Sequence, residues 1–268
     1  MFLAAAVQLT STSDAERSSD EAEALVRRAA GYGATFIATP ECTNYLGPHK
    51  KKVAIAESLD GPTCRRFGAL AAELGITLLL GSFNERVEGE TTRCANTSVL
   101  FGPDGAQRAA YRKLHLFDVD VPGMVFHETD TCVPGTDVVV GEAPFGRVGM
   151  SICYDLRFPE LYRAHVDRGA VLLAVPAAFT ATTGKAHWEP LLRARAIETQ
   201  TWVIAPGQVG HHDDGGLRNS HGHSMIIDPW GCVVAQAGEA PGLALAEIDL
   251  DHVATVRRGM PLRDHRRL

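Results

Sequence analysis

The stretch Arg147-Val148-Gly149-Met150-Ser151-Ile152-Cys153-Tyr154-Asp155-Leu156-Arg157-Phe158-Pro159-Glu160-Leu161 passes from a strand pattern to a helix pattern within a single turn. Val148, Met150 and Ile152 alternate onto one strand face, and Gly149, Ser151 and Cys153 onto the other. Asp155 suits a helix N-cap and Pro159 a first helical turn. Cys153 therefore falls at the carboxyl end of a strand, where open α/β sheets place ligands and nucleophiles. The backbone amide of Tyr154 is then free to face a developing oxyanion. Position alone leaves two readings open for Cys153, a nucleophile or a buried structural thiol.

Outward from that turn, short apolar runs alternate with longer amphipathic ones. Strands are expected at Phe2 to Leu9, 34–39, 76–81, 94–101, 106–112, 147–152, 170–175, 202–209 and 243–249. Helices are expected at 20–30, 65–74, 158–168 and 188–200, with a short basic helix after the last strand. Gly222 to Ala237 reads as a hairpin turned at Asp228-Pro229-Trp230-Gly231. The stretch 114–137, punctuated at Pro122-Gly123 and Pro134-Gly135, reads as a long irregular excursion of the functional kind. Strands separated by helices imply α/β layers with mixed sheets. No linker or internal repeat divides the chain, so residues 1–268 read as one domain.

The 268 residues are 45% hydrophobic and 22% charged, which is an ordinary globular composition and not a disordered one. A net charge of -6 argues against nucleic acid or an anionic membrane as partner. No apolar run approaches the roughly 18 residues that span a bilayer. The opening MFLAAAVQLT lacks a basic start and reads as a strand, not a signal peptide. Cysteines 42, 64, 94, 132, 153 and 232 form no C-x-x-C pair and read as reduced thiols of a cytoplasmic protein.

A thiol nucleophile needs a base. None of the eleven histidines has a local signature that selects it. Glu41 follows Pro40 at a second strand end; by itself it reads first as a solvated loop acid and only second as a base. Lys113 ends a strand in Tyr111-Arg112-Lys113-Leu114-His115-Leu116; alone it is a surface charge, and beside Glu41 and Cys153 it could hold an oxyanion. His211-His212-Asp213 invites a metal reading, but the spacing does not place ligands on one face. His221 and His223 suit structural roles, and no nucleotide-binding glycine motif is present. In the helix beginning at His187, Trp188, Leu191, Leu192 and Ala196 form an apolar stripe. Glu189 and Arg193 form an i,i+4 pair there, and Arg195 is left as a buried ion-pair partner or an interface residue.

Pro40-Glu41, Arg112-Lys113-Leu114-His115-Leu116 and Cys153-Tyr154-Asp155-Leu156-Arg157-Phe158-Pro159-Glu160-Leu161 resemble the three motif blocks of the nitrilase superfamily of carbon–nitrogen hydrolases. The resemblance runs from Ala5 to the end of the chain. It implies a Glu-Lys-Cys triad of Glu41, Lys113 and Cys153, with a supporting Glu128 in Val125-Phe126-His127-Glu128. It implies a four-layer α-β-β-α sandwich with two mixed β-sheets, and a homodimer or higher homo-oligomer that pairs through helices such as 158–168 and 188–200. The segments Ala186 to Gln200, Gly222-His223-Ser224-Met225 and Asp228 to Gly231 are similar to the small amidase branch, which includes deaminated-glutathione amidases and omega-amidases. Arg193 to Gln200 is closer to the former. The ending at Arg266-Arg267-Leu268 and the Gly- and Asp-rich loop 210–220 depart from relatives and bear on the substrate.

The expected chemistry is attack by Cys153 on an amide carbonyl, with Glu41 as proton carrier. Lys113 and the Tyr154 amide hold the oxyanion, and a thioester is hydrolysed to acid plus ammonia. No cofactor or metal is called for. The expected partner is a small-molecule amide carrying a carboxylate, with deaminated glutathione foremost. Arg157 is the first candidate for that carboxylate, against a helix-start pair with Glu160. Phe179 is a candidate pocket wall, against a plain core position. The alternatives are α-ketoglutaramate, N-carbamoyl compounds or nitriles on the same triad, a non-enzymatic interaction protein, and a metal hydrolase using His211, His212 and Asp213.

Overall fold

The computed structural model describes residues 1–121, 124–214 and 218–267. The Pro122-Gly123 punctuation, the middle of loop 210–220 and Leu268 lie outside the described residues. The chain runs β1 (Phe2–Gln8), α1 (Ala15–Gly31), β2 (Ala34–Ala38), α2 (Pro62–Leu74), β3 (Thr77–Glu85), β4 (Ala95–Phe101) and β5 (Gln107–Arg112). Then come β6 (Asp118–Val121), β7 (Met124–His127), β8 (Val140–Ala143), β9 (Gly146–Met150), α3 (Pro159–Asp167), β10 (Ala170–Ala174) and α4 (Ala181–Thr199). The remainder is β11 (Trp202–Ala205), β12 (Val209–His211), β13 (Asn219–His221), β14 (Met225–Ile227), β15 (Val233–Gln236), β16 (Gly242–Ile248), α5 (Leu250–Gly259) and α6 (Leu262–His265).

Two six-stranded sheets carry the fold, in the orders β16-β1-β2-β3-β4-β5 and β15-β14-β11-β10-β9-β8. Each has three parallel strands at its centre, β1-β2-β3 and β9-β10-β11, flanked by antiparallel neighbours. Strand alternation sorts the side chains into layers. Ala5, Val7, Ile37, Leu78 and Leu80 pack against Val26 of α1 and Phe67 and Leu70 of α2. Ala4, Ala6, Phe36, Ala38 and Leu79 face the other way and share one apolar cluster with Val148, Met150, Leu172 and Leu173. That cluster continues into Leu161 and Tyr162 of α3 and Trp188 and Leu192 of α4. The outcome is helix, sheet, sheet, helix, as expected. The carboxyl ends of β2 and β9 come to the same edge, and this is what positions the site.

Several elements differ from the sequence reading. Helix α1 starts at Ala15, not residue 20, because Asp14 caps it by accepting from Arg17 N. The polar Ser18 and Ser19 bury by bonding back to the Asp14 and Ala15 carbonyls. Helix α4 begins at Ala181, seven residues before Trp188, in a stretch with no apolar period to reveal it. The 114–137 excursion contains the hairpin β6–β7, and β12 and β13 form another two-stranded ribbon. Asp155 is not an N-cap. It lies inside a 3-10 turn, Cys153–Arg157, and Phe158 precedes α3 without a side-chain cap. Among the described residues, no helix is long and apolar enough to cross a membrane.

Candidate active site

Glu41 lies three residues beyond β2, and the local fold brings β3 hard against it. At Gly81 of β3 an added Cβ would collide with the carbonyl oxygens of Thr39 and Pro40, so only glycine lets the strand pass the Pro40-Glu41 loop. Gln208 closes the other side by donating to the Glu41 carbonyl at 2.9 Å and to Ser11 Oγ at 2.7 Å. Cys42 next door packs, with its amide bonded to Ser82 Oγ at 2.8 Å. Burial, and the charge of Glu41 after it, push the Cys42 thiol up to about 11.

Cys153 lies three residues beyond β9 with φ at +50°, a left-handed conformation that L side chains rarely adopt. Its amide donates to the Pro176 carbonyl at 2.8 Å. Asp155 pins the turn from within: its carboxylate accepts from Ile152 N at 2.8 Å, Tyr111 Oη at 2.7 Å and His115 N at 3.0 Å. Arg195 pins it from α4, with Nε at 3.0 Å and Nη2 at 2.7 Å from the Leu156 carbonyl, and Nη1 on Glu198 at 2.9 Å. Arg195 is thus both a buried ion-pair partner and a clamp on the Cys153 turn. Tyr154 is the second residue of that turn, and the first amides of such a turn have no carbonyl of their own to bond.

Lys113 follows β5 and is 2% exposed. Its ammonium donates to Glu41 Oε1 at 2.9 Å and Glu128 Oε2 at 2.8 Å. Asn96, on β4, donates through one Nδ2 to Glu41 Oε1 at 2.8 Å and Glu128 Oε1 at 3.1 Å. The second Glu41 oxygen accepts from Ala178 N at 2.7 Å, and Glu128 Oε2 also accepts from Phe117 N at 2.8 Å. Burial alone would lower the Lys113 ammonium, but Glu128 and Glu41 overcome it and hold it well above the usual lysine range. Burial would raise Glu128, yet Lys113 and Lys52 pull it down to about 2. Burial pushes the Cys153 thiol well above its usual range, and the charge of Glu41 and a hydrogen bond to it add to that. The resting thiol is therefore neutral, beside the Glu41 carboxylate.

A small cleft opens onto Cys153, lined also by Phe117, Tyr154, Arg157, Phe179 and Thr180. The Arg157 guanidinium lies 5.2 Å over the Phe179 ring and 5.6 Å over the Tyr154 ring, and donates to His187 Nδ1 at 3.3 Å. No ion pair with Glu160 forms. Phe179 is both wall and core, its ring 5.2 Å from that of Trp188. Of the other polar residues read from the sequence, His212 is buried between the Ser11 carbonyl and Ser220 Oγ, and Asp213 caps Ser13. No group of three histidine, cysteine or acidic side chains among the described residues could hold a metal. Asn96 is the site residue that the sequence reading missed.

The family model described as carbon-nitrogen hydrolase matches residues 3–258. A deaminated glutathione amidase of Synechocystis sp. is 46% identical over 99% of this chain and 98% of its own. The crystal structure of the Caenorhabditis elegans NitFhit protein matches with a TM-score of 0.93 and 41% identity over 99% of this chain, which spans 65% of that longer one. Saccharomyces cerevisiae Nit3, a member of branch 10 of the nitrilase superfamily, matches with a TM-score of 0.88 and 30% identity over the whole of this chain and 97% of its own. This chain belongs to the carbon–nitrogen hydrolase family, within the nitrilase superfamily. It is a thiol-dependent amidohydrolase acting on carbon–nitrogen bonds other than peptide bonds.

Proposed function

We propose that the protein is a deaminated glutathione amidase whose machinery is Glu41, Lys113, Cys153 and Glu128. The observation that carries this reading is the Lys113 ammonium between two carboxylates, one of which, Glu41, raises the Cys153 thiol by its charge. The identity of 46% to an amidase of that name supports the substrate.

As the Cys153 sulfur bonds the amide carbonyl carbon, Glu41 takes its proton. Lys113 and the Tyr154 amide hold the oxyanion. The carbon–nitrogen bond breaks as Glu41 passes the proton to the departing nitrogen, leaving a thioester. Water then gives a proton to Glu41 and its oxygen to the acyl carbon, and the proton returns to sulfur. Glu128 keeps Lys113 in place. With an unsubstituted amide the leaving group is ammonia; with deaminated glutathione it is the amine of a cysteine-glycine dipeptide. Arg157, stacked over Phe179 in the cleft, binds the keto-acid carboxylate.

The test is hydrolysis of deaminated glutathione and α-ketoglutaramate side by side, with Cys153→Ala as control. Preference for the first, lost in the variant, is expected. Preference for the second would make the protein an omega-amidase, and turnover surviving in the variant would refute the nucleophile.

The same reading makes residues 1–268 one domain, supported by the apolar cluster shared between both sheets. It makes the protein a homodimer or higher homo-oligomer, supported by the exposed Ile197, Trp230 and Met260. It places the protein in the cytoplasm, supported by six free cysteines. Sedimentation of the purified protein tests the second of these.

A further inference from the structure

Lys52 is 3% exposed, and its ammonium hydrogen-bonds to nothing among the described residues. A buried charge is costly unless an opposite charge meets it. Lys52 follows the short 3-10 turn His49–Lys51, its amide bonded to the His49 carbonyl at 3.2 Å. The His49 ring packs 4.7 Å from the Phe126 ring and is held by Thr131 Oγ1 at 3.0 Å. The Arg218 guanidinium lies 5.5 Å from the same Phe126 ring, oriented by Asp214 at 2.7 Å and the Gly47 carbonyl at 3.3 Å. Burial alone would lower Lys52, but Cys132, Cys42 and Glu128 nearby outweigh it and keep the ammonium charged.

This basic corner is joined to the Cys153 cleft by aromatic rings. Phe117, which lines the cleft, is 5.0 Å from Tyr154 on one side and 6.0 Å from Phe126 on the other. The molecule thus presents two cationic stations. Arg157 shares the cleft with the nucleophile, and Arg218 lies against Phe126 on the far side of Phe117, with Lys52 close enough to feel its charge. Deaminated glutathione is anionic at both ends, with a short keto-acid arm on the acyl side of the scissile carbonyl and a longer dipeptide arm on the leaving side.

We propose that Lys52, with Arg218 beside it, binds the terminal carboxylate of the leaving half of the substrate, so that this corner sets the preference for a carboxylate-terminated amide substituent over ammonia. The proposal rests on the reading given under Proposed function. Lys52 acts on specificity and takes no part in the bond changes at Cys153.

The test measures binding by calorimetry in the Cys153→Ala background, with and without Lys52→Met. Deaminated glutathione and α-ketoglutaramate, which lacks the dipeptide arm, are the two probes. Lys52→Met is expected to weaken deaminated glutathione about tenfold, the size of one lost charge-assisted bond, and to leave α-ketoglutaramate within about twofold. The second probe also reports that the variant is folded. Lys52→Arg should restore most of the loss. Equal weakening of both probes would mean that Lys52 acts through Glu128, and no change in either would leave it no role in binding; each overturns the proposal alone. Failure of Cys153→Ala itself to bind deaminated glutathione would overturn the substrate assignment, and this proposal with it.

Discussion

The Tyr111 hydroxyl donates to Asp155 Oδ2 at 2.7 Å, and that one bond ties the strand that delivers Lys113 to the turn that carries Cys153. Tyr111 lies in β5 two residues before Lys113, and Asp155 follows Cys153 by two. Both side chains are fully buried, so the bond is not in competition with water. Lys113 and Cys153 follow strands of different sheets, and this contact joins the two.

Tyr111→Phe should cost about 2 kcal/mol of stability, since a buried carboxylate loses a donor, or roughly 4–8 °C in melting temperature. Because Lys113 loses its register with Cys153, kcat should fall about tenfold with KM nearly unchanged. A variant that melts lower yet turns over normally would show that the bond serves folding alone.

Asn96 touches both glutamates through one nitrogen and so positions them. Asn96→Leu should lower kcat by about 10²-fold at constant KM, from two bonds to charged acceptors worth roughly 1.5 kcal/mol each. Asn96→Asp should do worse, because a third carboxylate then faces Glu41 and Glu128. Steady-state kinetics on both variants decide this; a rise in KM alone would place Asn96 at the substrate instead.

His165 of α3 is fully buried, and neither ring nitrogen has a partner among the described residues. Burial lowers it to about 4. The unfolded chain takes up a proton near pH 6.5 that the native protein refuses, so stability should fall as pH drops from 6.5 toward 4. The loss comes to about 3 kcal/mol over that window, at up to about 1.4 kcal/mol per pH unit. Denaturant titrations at several pH values should show this slope reduced by one proton in His165→Leu. An unchanged slope would assign the acid sensitivity elsewhere.

Much of this was legible in the sequence, and the gaps have physical causes. The alternation at Val148 to Cys153 and the Pro159 that opens α3 located the turn, because local sterics alone dictate it. The three motif blocks located Glu41, Lys113 and Cys153 together. Asn96 was invisible because Asn96, Thr97 and Ser98 look like a half-solvated strand, whereas β4 is buried on both faces. Lys52 was hidden at the end of Lys50-Lys51-Lys52, a run that reads as solvated charge until the fold buries its last member. Asp155 resembled a cap because caps and buried turn anchors use the same residue type.

A covalent acyl-Cys153 intermediate is what the proposed mechanism requires, and partitioning with hydroxylamine detects it. Deaminated glutathione and α-ketoglutaramate differ in leaving group but would leave the same acyl group on Cys153. With hydroxylamine present, both should therefore yield hydroxamate and free acid in the same ratio at every hydroxylamine concentration. Different ratios for the two substrates, or turnover with no hydroxamate from either, would contradict a common thioester and the role given to Cys153.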